Sequence, residues 1–135
     1  MNKQSKTWLL ITLIFNIAIT SIHYTDNAIF VNDYPEPEWI TTSGVFISWG
    51  IMTCISAIAY WLYSKQYFWL SYLFLSIYSI TGLSSPSHYF FGAFSQFSLK
   101  MHTFIWFDAI AGLSVVVFIV WSSLIAREWR VEKEL

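Results

Sequence analysis

Four long apolar segments, separated by short polar stretches, constrain this chain more than any other feature. They run roughly over 7–31, 43–63, 66–83 and 101–126. A hydrocarbon core of about 30 Å is crossed by about 20 helical residues, and each segment approaches that length. Only 11% of the 135 residues are charged while 56% are hydrophobic. Soluble domains carry about 25% charged residues, so too little polar material is present to cover a water-facing surface. The short alternating strands of a membrane β-barrel are not visible. The pattern predicts an all-α integral membrane protein: one domain over 1–135, folded as a four-transmembrane-helix bundle and inserted as a multi-pass protein in a plasma or inner membrane.

The first segment begins like a signal peptide, with Lys3 and Lys6 ahead of an apolar run from Trp8 to Ile19. Ala18-Ile19-Thr20 is a poor small-x-small cleavage site, so the segment is expected to remain as the first spanning helix. The single Cys54 leaves no internal disulfide and no Cys-x-x-Cys redox or zinc motif. Orientation follows from the basic residues. With alternating spans, Lys3, Lys6, Lys65, Arg127, Arg130 and Lys133 fall on one side and only Lys100 on the other. Both termini and the 63–67 turn are therefore expected to be cytoplasmic, together with Glu128, Glu132 and Glu134. Residues 32–42 and 84–100 face outward.

A polar stripe runs along the first helix. From Trp8 to Ile22 the apolar stretch covers only about 22 Å at the helical rise of ~1.5 Å per residue, too little to cross. The apolar run Ala28-Ile29-Phe30-Val31 lets the helix continue to about residue 31. His23, Asp26 and Asn27 then lie within the outer leaflet, and Thr12, Asn16, Thr20, His23 and Asn27 share one helix face. Polar groups facing lipid would lack partners, so this face points into the bundle. Thr12, Asn16 and Thr20 read as interhelical hydrogen-bonding groups. Beyond it, the two prolines of Tyr34-Pro35-Glu36-Pro37-Glu38-Trp39 enforce an extended, stiff segment. Trp39 is a candidate interfacial anchor, and Thr41-Thr42-Ser43 offers an N-cap to the second helix.

Candidate chemistry gathers at the outer end. His23, His88 and His102, the only three histidines, fall on that side, with Asp26 and Asp108 on the first and fourth helices. An ionisable residue within a span costs ~2.5 kcal/mol or more and points to function by default. His with carboxylate suits zinc, iron or copper, so His23, Asp26, His88, His102 and Asp108 form the candidate metal-ligand set. Asp26 and Asp108 double as candidate catalytic bases. Ala111 and Gly112, three and four positions after Asp108, allow a neighbouring helix close to that carboxylate. The plainer reading makes Asp26 a group that orients His23, pairs Asp108 with His102 or a tyrosine, and leaves Asp33, Glu36 and Glu38 as a solvated acidic loop.

Two functional classes follow. One is a metal-dependent enzyme or redox subunit acting on a lipid-soluble substrate that enters from the membrane. The other is a metal or small-ligand binding or transport accessory; a structural subunit of a membrane complex, or a homo-oligomer, is a third possibility. No Gly-x-Ser-x-Gly, His-Glu-x-x-His or phosphate-binding loop is present, no mid-span lysine offers a retinal site, and no basic patch offers a nucleic-acid surface. A haem held by His23 and His102 has no further motif behind it.

Overall fold

The computed structural model describes residues 3–130, and these are helical apart from short turns and the outer loops. Lys133, Glu132 and Glu134 lie outside the described residues. Four α-helices carry the fold: α1 Lys3–Ile29, α2 Thr42–Ser64, α3 Phe68–Leu83 and α4 Leu99–Val120. Two short 3-10 helices, Ser85–Phe90 and Phe94–Gln96, join α3 to α4. Three helical stretches are long and apolar enough to cross a membrane: Lys3–Ile29, Thr42–Ser64 and Leu99–Ile125. The third apolar segment forms the shorter α3, whose 16 residues extend about 24 Å at ~1.5 Å per residue.

Each helix starts or stops for a local reason. Thr41 caps α2 by accepting the Gly44 backbone N–H at 3.1 Å, which satisfies one of the orphan donors of a helix start. Ser98 does the same for α4, accepting from Met101 at 3.3 Å. Between α2 and α3 the chain reverses through Gln66, whose positive φ of 67° takes it out of the helical region. The fourth helix ends in a π-helical turn, Trp121–Ile125.

The helices pack in a ring in which each touches its chain neighbours and α4 closes against α1. The closest crossing is between α3 and α4, where Gly82 and Gly112 face each other. A methyl group on Gly112 would stand 2.8 Å from Leu83 N and 2.9 Å from Ser79 O, and one on Gly82 would collide with the Asp108 carbonyl. Small residues therefore let the two backbones touch, as the Ala111-Gly112 pair led us to expect.

The apolar core fills the half of the bundle that holds the chain termini, built from Leu9, Leu13, Leu75, Val115 and Phe118. That end is closed by Tyr63, Tyr72 and Ser122, which gather around the Glu128 carboxylate. The polar stripe of α1 does face inward: Asn16, Thr20, His23 and Asn27 are buried. Asn16 donates to Ser114 at 3.0 Å and Trp49 donates to Thr20 at 3.2 Å, so its inner part is occupied by interhelical hydrogen bonds. The outer surfaces of the helices are apolar instead. Ile14 is 58% exposed, Ile47 60%, Leu73 54% and Val117 60%.

Candidate functional site

Asp108 is fully buried, 0% exposed, where α4 crosses α3. Its Oδ2 lies 2.8 Å from Nδ1 of His23 on α1 and accepts a second hydrogen bond, from Ser85 Oγ, at 2.5 Å. Ser85 opens the first 3-10 helix three residues after Gly82, so the close glycine crossing is what brings its hydroxyl within reach. A carboxylate only accepts. His23 Nδ1 therefore carries a proton, which in a neutral ring leaves the lone pair on Nε2. That Nε2 is buried and has no protein partner, and neither has Asp108 Oδ1.

A second imidazole–carboxylate pair stands beside the first. The segment after α1 folds back over the bundle end, and the Glu36 side chain enters it, only 7% exposed. Its Oε1 lies 3.1 Å from His88 Nδ1 and accepts from the Asn27 amide; its Oε2 is buried without a partner. Two prolines stiffen the segment, and Gly92 gives it a seat, since a methyl group there would stand 2.5 Å from the Pro35 ring. The His23 and His88 ring centroids are 5.6 Å apart, with the Tyr34 ring against both.

These pairs border a cavity of about 440 Å³ between the end of α1, the start of α2 and the end of α3. His23, Glu36 and His88 line it, with hydroxyls from Thr41, Ser48, Thr81, Ser84, Ser85 and Ser87. Tyr24, Trp39, Ile40, Val45 and Phe91 supply its apolar walls. Trp39 and Phe91 are 77% and 54% exposed and form the rim.

The remaining candidates occupy other positions at the same end. Asp26 is half-buried on the rim of α1, where Lys100 Nζ approaches Oδ1 at 2.6 Å and Tyr34 OH donates to Oδ2 at 2.8 Å. Its partners are thus a lysine and a phenol, and His23 is oriented by Asp108 from another helix. Burial first, and then the hydrogen bond to Asp26, push the Tyr34 phenol well above its ordinary value. His102 shares a 2.7 Å hydrogen bond with Tyr89 and stacks on Phe94 at 4.0 Å between centroids. Neither Asp26, His102 nor Asp108 lines the cavity. Among the described residues no three His, Cys, Asp or Glu side chains converge as a ready metal cage.

Two members of the site lie outside the candidate set. Glu36 belongs to what reads as a solvated acidic loop, and Asp33 and Glu38 are indeed exposed; Glu36 differs because the flanking prolines direct it inward. Ser85 carries no sequence signal of its own beyond its spacing from Gly82. No protein-family model matches the sequence, and neither curated proteins nor solved structures offer a match.

Proposed function

We propose that this chain is a four-helix, multi-pass integral membrane protein with both termini on the cytoplasmic side, whose outer-end cavity binds a transition metal through His23 and His88 and admits a lipid-soluble substrate beside it. The observation that carries this reading is the His23 ring. Its Nδ1–H is held by a buried carboxylate while its Nε2 is buried without a partner, on a residue that lines the cavity. Such a carboxylate fixes the tautomer, aims the ring and raises its basicity, as around metal-bound imidazoles. His88 stands beside it, its Nδ1 3.1 Å from Glu36 Oε1.

The ring separation also fits. A metal at ~2.0–2.1 Å from a nitrogen of each ring requires centroids about 5–6 Å apart, and they are 5.6 Å apart. Two imidazoles leave coordination positions open for water or substrate, as a catalytic centre needs and a closed structural site does not. Zinc, iron and copper all accept imidazole. On this reading Asp108 positions His23, Glu36 positions His88, and Asp26 secures the covering segment through Tyr34 and Lys100. The bound metal would acidify a water or polarise a substrate oxygen.

The membrane part of the reading rests on the three long apolar helices, the exposed apolar belt and the lysine and arginine asymmetry. Cobalt(II) titration of the chelator-treated protein in nanodiscs tests the metal part. One equivalent with visible d–d absorption is expected, abolished in His23→Ala and His88→Ala and retained in His102→Ala. Absence of cobalt binding, or binding indifferent to His23→Ala, overturns it.

A further inference from the structure

The cavity is far larger than a metal ion needs. At ~30 Å³ per water, about 440 Å³ holds about fifteen waters, and the volume falls in the ~300–1,000 Å³ range of organic-ligand pockets. Its walls divide into an apolar rim and a polar floor, which is the shape of a site for an amphipathic molecule.

The floor specifies the head group. Two residues of the lining carry a buried, unpartnered side-chain atom, Glu36 Oε2 and His23 Nε2. Their side chains are 7% and 4% exposed. With His23 Nε2 assigned to the metal, the acceptor left for a ligand is the Glu36 carboxylate oxygen. Leaving a buried acceptor unsatisfied costs about 1–3 kcal/mol, and more when it is charged, so a fitting ligand brings a donor to it. The lining contains one carboxylate and neither lysine nor arginine; the nearby Lys100 is engaged by Asp26. Anionic heads such as phosphates and fatty-acid carboxylates therefore meet like charge with no lysine or arginine to offset it. A protonated amine meets opposite charge and offers up to three N–H donors, and the Trp39 and Phe91 rings at the rim suit a cation or an alkyl chain equally.

We infer that the cavity recognises an amphipathic primary amine, with the ammonium group at the Glu36 carboxylate and the apolar part against Trp39, Ile40 and Phe91. This rests on the cavity being the substrate site of the proposed function, and not on the metal.

The test uses chelator-treated protein in nanodiscs, with dodecylamine, dodecanol and dodecanoate compared at equal lipid mole fraction. A ligand that binds only the folded state raises the unfolding midpoint with concentration. Saturable stabilisation by dodecylamine is expected at a concentration at least tenfold below that needed for dodecanoate, with dodecanol between them. Glu36→Gln should erase the advantage of the amine. Equal response to all three head groups, preference for the acid, or no saturable response overturns the inference, and the wild-type series alone decides this if the variant folds poorly. An amine preference that survives in folded Glu36→Gln overturns the assignment to Glu36. Because no metal is present, loss of cobalt binding in the earlier experiment and loss of amine selectivity here are separate results.

Discussion

His23 and Asp108, 85 positions apart in sequence, are joined by a 2.8 Å hydrogen bond between α1 and α4 in which both side chains are almost completely shielded. The carboxylate holds a proton on Nδ1 and fixes the direction of the ring. Asp108→Asn keeps the shape and retains an acceptor, but its amide can also donate to Nδ1 and move the ring proton to Nε2. Cobalt affinity should fall about 10–100-fold, the effect of losing such an orienting group. Unchanged affinity in a folded variant would remove Asp108 from the metal site. Thermal unfolding measured alongside reads the structural part, which reaches ~3–5 kcal/mol if the pair is ionised and one partner is stranded.

The Gly82–Gly112 crossing should be intolerant of a single methyl group. At Gly112 the added carbon meets backbone at 2.8–2.9 Å from Leu83 and Ser79, atoms that cannot rotate away. Gly112→Ala should destabilise by about 1–3 kcal/mol, as overpacking does, and should separate Ser85 from Asp108. Gly50→Ala is the control, since nothing lies within 4 Å of a methyl there. Equal unfolding midpoints for the two variants would refute the close-crossing account.

Tyr34 makes alkaline stability part of the fold. Its phenol is raised chiefly by burial and next by the Asp26 hydrogen bond. A folded-state value above the unfolded one gives stability that is complete below about pH 10, the ordinary phenol value, and is lost as pH rises past it. The stability gap between wild type and Tyr34→Phe should therefore be constant from about pH 7 to 9 and narrow above about pH 10. A gap that widens with pH contradicts the assignment.

Topology is testable at two exposed positions. In a Cys54→Ser background, a cysteine replacing Glu38 should react with a membrane-impermeant maleimide added outside intact cells. One replacing Lys65 should react only after permeabilisation. The reverse pattern inverts the orientation.

The local terms of this structure were legible in the residues. Four apolar segments of near-spanning length dictate four helices, because in lipid the backbone must satisfy its own hydrogen bonds. The polar positions 16, 20, 23 and 27 recur at helical spacing, so their shared inward face follows from the 3.6-residue repeat, and Thr41 announces the start of α2 by its cap chemistry. The partners of those inward groups were not legible. Asp26 is one turn from His23, which favours a local pair, yet it lies at the rim of the helix face and is taken by Lys100 and Tyr34. Glu36 resembles Asp33 and Glu38 in type and neighbourhood; only the way its proline-stiffened segment lies over Gly92 and His88 turns it inward. Ser85 reaches Asp108 because two glycines let α3 and α4 touch. Periodicity and charge act over a few residues and survive reading one position at a time. The pairing of His23 with Asp108, and of His88 with Glu36, depends on how whole helices pack, and only the tertiary structure sets it.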